Sequence, residues 1–345
     1  MRRSVPLLAG LVVGLAATVL QLPASAAVQP HKAAACSWVV NELPLPAGFS
    51  AGYVHDSDRD NSFAGYGIDA EGKTRPLVWH DGAVTVLSAP GGVEAVAEDV
   101  NSRGDVVGVT EGGDTPAHAI LWRGGRVIEL PVLPGGVYAV PTAMNNAGLI
   151  VGYAGDGDTS HAVAWSTSSP RAIRDLGEMA GSAVLTDVNE QGTVVGWTET
   201  VDGTFSQQAI VGSVRKGLTT LPGTEPGTNS MARAAAGRYI AGVAVLAGGS
   251  EDLGSAVRWD PSGPHALPGV QTDAQAVNDH GTVVGAEGNL GAVIWVDGQA
   301  QALPALPGAA PFHTAAIAVT NNNTAAGVSS DPEGHSRPVT WSCIS

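Results

Sequence analysis

The stretch from Asp99 to Gly108 has the sequence DVNSRGDVVG, and closely similar stretches occur along the whole chain. Residues 187–196 are DVNEQGTVVG, and residues 277–285 are VNDHGTVVG. The glycines that close these stretches are 42 to 46 residues apart and define seven repeats. These closing glycines are Gly65, Gly108, Gly152, Gly196, Gly242, Gly285 and Gly327. A period of this length indicates a repeat protein in which each unit is one supersecondary element.

A second landmark follows each closing glycine, namely a short apolar run that ends in tryptophan in six of the seven repeats. These residues are Trp79, Trp122, Trp165, Trp259, Trp295 and Trp341, whereas the fourth repeat has Gly212 at this place. A tight turn such as Asp81-Gly82 comes next, followed by an apolar stretch that ends in Leu-Pro, as at Leu130-Pro131.

Each repeat is predicted to form four strands, because runs such as Val106-Val107 are β-prone and too short for helices. The Asn-x-x-Gly segment predicts a turn that needs a residue tolerant of positive φ. Asn61 and Asn323 stand at the glycine's place in the first and last repeats, where we expect them to take that conformation. The Asp-Gly pairs predict two-residue hairpins. We therefore expect the repeated glycines to mark turns and strand ends.

Seven four-stranded units predict an all-β, seven-bladed β-propeller, because a β-solenoid, the alternative, normally uses shorter coils. The last repeat ends just after Trp341 and lacks a fourth strand, while residues 38–48 match the pattern of residues 127–136. We therefore expect the N-terminal strand to complete the seventh blade. This closure would bring Cys36 beside Cys343 and predicts a disulfide that locks the ring, with two free buried thiols as the alternative.

The first residues have the features of a secretory signal. Arg2 and Arg3 precede an apolar run that extends to Leu22, and small residues up to Ala26 offer a cleavage site. A membrane anchor is the alternative, but the run is at the short end for spanning. We expect a signal peptide at 1–26, a short flexible mature N-terminus at 27–35 and the propeller at 36–345, in a secreted, monomeric protein with no membrane span.

Charge and composition exclude several classes of partner. The formal net charge is −15 with 32 acidic and 17 basic residues, so nucleic acid and anionic membranes are poor partners. The chain is 44% apolar, which argues against disorder.

The repeat resembles that of the HAF family of probable extracellular repeats, named for a His-Ala-Phe run. The run occurs here as His118-Ala119-Ile120 and His161-Ala162-Val163, after the Asn-x-x-Gly-x-Val-Val-Gly stretch. The resemblance extends from about Trp38 to Trp341, with departures such as Arg75-Pro76. It implies export and a repeated β architecture, and it supplies no catalytic residues.

The loops between the second and third strands are regularly acidic, which predicts that the negative charge is concentrated on one face of the propeller. We expect this face to bind cations, cationic groups or calcium-bridged ligands, unless the acids serve only to keep the protein soluble. The candidate ligand-binding residues are Asp114, Asp156, Asp158, Glu199, Asp202, Asp331 and Glu333.

Two further sets of residues are weaker candidates. Asp56, Asp58 and Asp60 alternate as in calcium loops, but Gly67 stands where an EF-hand needs its bidentate glutamate. We expect no cofactor, with calcium as the alternative. Equivalent positions four residues before the tryptophans form a ring that we interpret as structural, made of Arg75, His118, His161, Gln208 and Arg337.

No catalytic motif was found, so the sequence favours a secreted, non-catalytic binding or scaffold protein. Its extracellular ligand, a protein or a glycan, would bind the acidic loop face. One alternative is a glycan-active hydrolase or lyase that uses loop carboxylates such as Asp114, Asp156 and Asp158. Another is a structural component of a surface or matrix.

Overall fold

The computed structural model describes residues 36–111, 116–179, 181–201, 205–221, 229–244, 255–288 and 290–344. They form 28 strands and two short 3-10 turns, Pro90–Gly92 and Pro311–His313. The strands make seven four-stranded antiparallel sheets, each of which is one blade of a β-propeller. The predicted fold class is confirmed.

The first four blades follow one another along the chain. Blade 1 contains β2 (Ala51–Ser57), β3 (Ser62–Ile68), β4 (Thr74–His80) and β5 (Ala83–Val86). Blade 2 contains β6 (Glu94–Val100), β7 (Val106–Glu111), β8 (Ala119–Arg123) and β9 (Arg126–Glu129). Blade 3 contains β10 (Tyr138–Met144), β11 (Leu149–Gly155), β12 (Ser160–Ser166) and β13 (Arg174–Gly177). Blade 4 contains β14 (Ser182–Val188), β15 (Val194–Val201), β16 (Phe205–Ser213) and β17 (Gly217–Thr220).

The last three blades complete the ring. Blade 5 contains β18 (Ser230–Ala236), β19 (Tyr239–Ala244), β20 (Ser255–Asp260) and β21 (Gly263–Ala266). Blade 6 contains β22 (Thr272–Val277), β23 (Val283–Glu287), β24 (Gly291–Val296) and β25 (Gln299–Ala302). Blade 7 contains β26 (Thr314–Val319), β27 (Ala325–Ser330), β28 (Ser336–Ile344) and the N-terminal β1 (Ser37–Glu42).

The ring closes as the sequence predicts. β1 pairs antiparallel with β28, with Trp38 opposite Cys343. A disulfide joins Cys36 to Cys343, whose Cα atoms are 5.4 Å apart. It is consistent with an extracellular protein. The two ends of the propeller chain are therefore tied together within one blade.

The tryptophans of the third strands join neighbouring blades. Each is buried between sheets, and in five blades its indole N–H donates to a main-chain oxygen at the end of the preceding blade's fourth strand. Trp165 Nε1 lies 3.0 Å from the oxygen of Pro131, for example. In blade 1, Trp79 donates to Pro44, which directly follows β1 of blade 7. The repeated tryptophan thus combines apolar burial with a specific link between blades.

The expectation that the closing glycines mark strand ends is wrong. All seven lie inside the second strands of their blades. Each pairs with the residue that directly precedes a β-bulge in the first strand, as Gly196 does with Leu185. A Cβ added at any of the seven would lie only 1.8–2.1 Å from a main-chain oxygen of that strand. These positions therefore need glycine to admit the bulge.

The turns after the first strands mostly follow the prediction. Gly192 has φ +79°, and Asn323 takes the same left-handed region with φ +66°. The first residue of the turn in blade 4, Asn189, makes two kinds of hydrogen bond. Its Oδ1 accepts N–H bonds from its own turn, and its Nδ2 donates to the main-chain oxygen of Gly237 in blade 5. The turn at the end of the first strand therefore also links blade 4 to blade 5.

Blade 1 departs from this pattern, and the expectation for Asn61 is wrong. The left-handed residue of its turn is Arg59, with φ +66°. The turn begins with Asp58, whose carboxylate accepts the N–H groups of Asp60 and Ser62 and the hydroxyl of Ser62. Asn61 instead donates its side-chain N–H to Asp81. The altered turn leaves Arg59 lining the central channel.

Candidate functional site

The extra residue of each β-bulge lines a cavity of about 330 Å³ in the central channel. We call these seven residues the bulge ring: His55, Glu98, Thr142, Thr186, Arg233, Gln275 and Ile317. All lie in the first, innermost strand of their blade, and six of them are polar. Each repeat thus contributes one side chain to the cavity, and the type of that side chain differs from blade to blade.

Members of the bulge ring bind the next blade. His55 Nδ1 lies 3.0 Å from Glu98 Oε2, between blades 1 and 2. The hydroxyl of Thr142 donates to the main-chain oxygen of Leu185, and that of Thr186 donates to Ala232, both at 2.9 Å. These bonds hold the ring side chains in place around the cavity.

On the opposite side of the cavity, Arg233 of blade 5 faces Asp273 of blade 6. Arg233 Nε lies 3.2 Å from Asp273 Oδ1, and Gln275 Nε2 donates to Asp273 Oδ2 at 2.8 Å. Burial raises the pKa of Asp273, and the positive charge of Arg233 opposes that rise. The cavity wall therefore offers hydrogen-bond donors and acceptors together.

Four residues at the end of the channel near the Asn-x-x-Gly turns form what we call the channel floor: Asp56, Arg59, Asp99 and Asp187. Arg59 Nη2 lies 3.2 Å from Asp187 Oδ2. Blades 1 and 4 are three blades apart in a ring of seven, so Arg59 reaches across the channel. Its Nη1 is buried and has no hydrogen-bond partner among the described residues.

Asp99 and Asp187 are held by main-chain N–H groups of two blades. Asp99 accepts from Val100 and from Met144 of blade 3, each at 2.6 Å. Asp187 accepts from Val188 at 2.6 Å and from Ala235 of blade 5 at 2.7 Å.

For Asp56, by contrast, the structure shows a single main-chain donor, the N–H of Ser57 at 2.8 Å. Its carboxyl also lines the cavity.

Burial dominates the electrostatics of the floor. It raises the pKa of Asp56 to about 7, with a further contribution from Asp187 and an opposing one from Arg59. Burial likewise raises the pKa of Asp99 well above its ordinary value, with Asp56 adding to the rise. Burial raises the pKa of Asp187 too, although Arg59 and two N–H bonds oppose this. The floor therefore binds protons near neutral pH.

The acidic loops are largely occupied with their own structure. Asp156 accepts N–H bonds from Thr159 and Asp158, which lower its pKa. Asp331 binds the N–H of His335 and the guanidinium of Arg337, and these lower its pKa to about 2 against the opposing effect of burial.

The other predicted loop residues are dispersed. Asp158 and Glu333 are exposed, Glu199 is half-buried in β15, and Asp114 and Asp202 lie outside the described residues.

The three candidate calcium ligands have separate roles. Asp58 caps its own turn, Asp56 faces the channel floor and Asp60 is exposed. Within the described ranges, no group of three or more His, Cys, Asp or Glu side chains is placed to hold a metal ion.

The predicted structural ring lies on the third strands, away from the channel. Arg75 pairs with Asp69 and Arg337 with Asp331, at 2.7 and 2.8 Å. His118 lies 3.0 Å from Glu129, and His161 lies 3.1 Å from Asp175. Gln208 stands opposite Thr198 in the ladder of β15 and β16.

A Ser-His-Asp arrangement also occurs on the turn side of blade 1. Ser62 Oγ lies 2.9 Å from His80 Nδ1, and His80 Nε2 lies 3.2 Å from Asp81 Oδ2. The Ser62 hydroxyl donates its proton to Asp58, and Ser62 is buried. This hydroxyl is therefore neither activated by the histidine nor accessible to a substrate.

The sequence candidates include none of the bulge ring and only Asp56 of the channel floor, although a sequence signal for the ring exists. Its residues precede the closing glycines by ten positions in six blades and by nine in blade 5. Aligning the repeats on those glycines brings the seven residues into one column.

No protein-family model matches the chain, and no curated protein matches it either. Among solved structures, an oligogalacturonate lyase in complex with manganese is similar, with 11% identity, a TM-score of 0.58, and 90% of this chain and 94% of the lyase covered. A puromycin-hydrolyzing peptidase of Mycobacterium tuberculosis is similar at 14% identity and a TM-score of 0.56, over 86% of this chain and 55% of the peptidase. At such identities the likeness shows the β-propeller fold alone.

In the part of the chain that the structure describes, no helix has the length and apolar character needed to cross a membrane.

Proposed function

We propose that the protein is a secreted, monomeric, non-catalytic binding propeller that takes a small polar ligand, or the polar end of a larger one, into the cavity of the bulge ring. The observation that carries this proposal is the convergence of seven equivalent side chains, six of them polar, on one cavity. The loops between the second and third strands leave the opposite strand ends from the Asn-x-x-Gly turns at the floor, and this end of the channel would be the approach for the ligand. The HAF resemblance, which implies export, agrees with this setting.

The size of the cavity sets the size of the ligand. About 330 Å³ is at the lower end of the range for small-molecule sites, enough for one sugar or amino-acid unit. The wall offers mixed donors and acceptors, including the pair His55–Glu98 and the side chains of Arg233 and Gln275. Such a wall suits a ligand that carries several hydroxyl, amide or charged groups, and it does not suit an apolar one.

The geometry favours binding over catalysis. A general acid needs a raised pKa, whereas main-chain N–H bonds lower the pKa of Asp156, one of the candidate loop acids. Three carboxyl groups do converge at the channel floor, but two of them are held by main-chain N–H groups of two blades. Asp56 and Asp187 also line the cavity of the bulge ring, but Asp187 is paired with Arg59, which leaves Asp56 without the second free carboxyl group that a glycan hydrolase needs.

A thermal-shift screen tests the proposal. Monosaccharides, uronic acids, amino acids and polyamines would be added to the wild type and to Ile317→Trp, in which an indole fills the cavity from the apolar member of the bulge ring. We expect at least one compound to raise the melting temperature of the wild type and to leave Ile317→Trp unmoved.

The matched control is Val270→Trp, which adds the same side chain at an exposed site away from the cavity. This variant should respond as the wild type does. Equal shifts in wild type and Ile317→Trp, or no shift with any compound, would contradict the proposed site.

A further inference from the structure

The channel floor combines three carboxyl groups with one guanidinium group. If all four were ionised, two negative charges would be unbalanced. The void beside these residues is about 10 Å³, room for one water molecule and not for a hydrated counter-ion. Three buried carboxyl groups that share one guanidinium repel one another when all are ionised, and this favours the binding of protons by the carboxyl groups.

The surrounding charged groups relieve this imbalance only in part, through His55, whose positive charge lowers the pKa of Asp56. Glu190, from the turn of blade 4, lines the same void, and Asp279, from the turn of blade 6, acts on Arg59. On the cavity side lie His55, Glu98 and Arg233, with Glu98 paired to His55 and Arg233 to Asp273. Among the described residues, Arg59 is the permanent cation that pairs with a floor carboxyl.

The three carboxyl groups are not equivalent. Asp187 is the carboxyl that stays ionised, because it accepts two main-chain N–H bonds and pairs with Arg59. Asp99 also accepts two such bonds, but burial raises its pKa well above the ordinary value and keeps it protonated. Asp56 has one such bond and faces the negative charge of Asp187. Asp56 therefore holds a proton that it exchanges near neutral pH.

We propose that the channel floor is a proton-operated lock of the ring: while it holds its protons, Arg59 ties blade 1 to blade 4 across the channel, and proton loss weakens that tie. In the protonated state, neutral Asp56 and Asp99 leave a single ion pair between Arg59 and Asp187. When the proton of Asp56 passes to solvent, the new carboxylate repels Asp187 and competes for Arg59. No covalent bond changes.

The direction of the pH effect follows from linkage. The pKa of Asp56 is about 7 in the folded protein, against an ordinary 3.8, so the folded state holds more protons between these values. The stabilisation is fully present below about pH 4 and is lost as the pH rises through about 7. The propeller should therefore unfold more easily at pH 8 than at pH 5.

Urea unfolding of the full protein at intervals from pH 5 to 8.5 tests the lock. For the wild type we expect the folding equilibrium constant to fall with pH, by about a hundredfold between pH 5 and 8.5 from Asp56 alone. Asp56→Asn should make this dependence shallower by the share of one proton and leave the share of Asp99, whose pKa burial also raises. Asp158→Asn removes the same formal charge at an exposed loop and should keep the wild-type slope. Equal slopes in wild type and Asp56→Asn would overturn the proposal.

A second variant and a second measurement cover the case in which Asp56→Asn does not fold. Arg59→Gln removes the charge that lowers the pKa of Asp56, so the midpoint of the pH dependence should move upward. In folded wild type, infrared spectroscopy should detect a carboxyl group that loses its proton near pH 7. A spectrum with every carboxyl ionised at pH 6 would also overturn the proposal.

Discussion

Replacing one closing glycine by alanine should destabilise the propeller far more than replacing a nearby turn glycine. A Cβ at Gly196 would lie 2.0 Å from the oxygen of Val184, with two further main-chain atoms of the first strand within 2.9 Å. The neighbours are all backbone, so no side chain can move to make room. The first two strands of blade 4 would have to separate at the bulge.

Two effects lower the free energy of unfolding of Gly196→Ala. Forcing a methyl group into a fully packed site costs about 3 kcal/mol. Separating the strands at the bulge also displaces Thr186, whose hydroxyl donates to Ala232 at 2.9 Å, and this bond contributes about 1 kcal/mol. We therefore expect Gly196→Ala to lower the free energy of unfolding by about 4 kcal/mol, a large share of the total of a typical domain.

The matched control is Gly192→Ala, in the turn of the same blade. Gly192 has φ +79° and nothing within 4 Å of its added Cβ, so only the left-handed backbone penalises alanine, by about 1–2 kcal/mol. Both variants would be compared with the wild type by urea unfolding, followed through tryptophan fluorescence. If the two alanines cost the same, the close approach of backbone at the bulge is not what requires glycine there.

Three further predictions concern the disulfide, a tryptophan between two blades and a carboxylate within blade 7. The double variant Cys36→Ser/Cys343→Ser should lose about 2–5 kcal/mol of unfolding free energy, and reductant should lower the stability of the wild type alone. Trp165→Phe removes the 3.0 Å bond to Pro131 and leaves a small cavity where the larger indole packed, so urea unfolding should show a loss of at least about 1 kcal/mol; no loss would count against that bond. Because the pKa of Asp331 is lowered to about 2, its contribution is present above about pH 4 and lost toward pH 2. In acid unfolding, Asp331→Asn should therefore show a flatter dependence than the wild type over this range.

The repeat was sufficient to predict the architecture, because strand and turn signals recur at one period. The spacing of the closing glycines gave the number of blades, and the match of residues 38–48 to residues 127–136 predicted that β1 completes blade 7. The disulfide followed from that closure, since it brings Cys36 and Cys343 onto paired strands. These features depend on patterns that each repeat carries in its own sequence.

The candidate site was not predicted, because it depends on the register of pairing between strands. A bulge adds one residue to the first strand, and no alternation of polar and apolar residues marks which one it is. His55 and Glu98 meet only once two bulges in different blades are aligned. The loop acids that were predicted to bind a ligand include Asp156, whose carboxylate instead accepts N–H bonds from its own turn.

The channel floor could not be predicted either, because it depends on a contact between distant blades. Asn61 and Asn323 occupy the same place in the repeat, but Asp58 begins the turn of blade 1 and its carboxylate binds two N–H groups and a hydroxyl there. The left-handed residue is then Arg59, which reaches Asp187 of blade 4. That contact spans 128 residues of sequence, beyond the reach of any local pattern.

The central claim, that the ligand binds in the cavity of the bulge ring, is tested most directly by isothermal titration. The titrant is the screened compound that gives the largest thermal shift, and the proteins are wild type, Ile317→Trp and Val270→Trp. One cavity predicts one compound bound per chain in wild type and Val270→Trp, and no measurable binding to Ile317→Trp. Unchanged affinity in Ile317→Trp, or several equivalent sites per chain as expected for the repeated acidic loops, would contradict the claim.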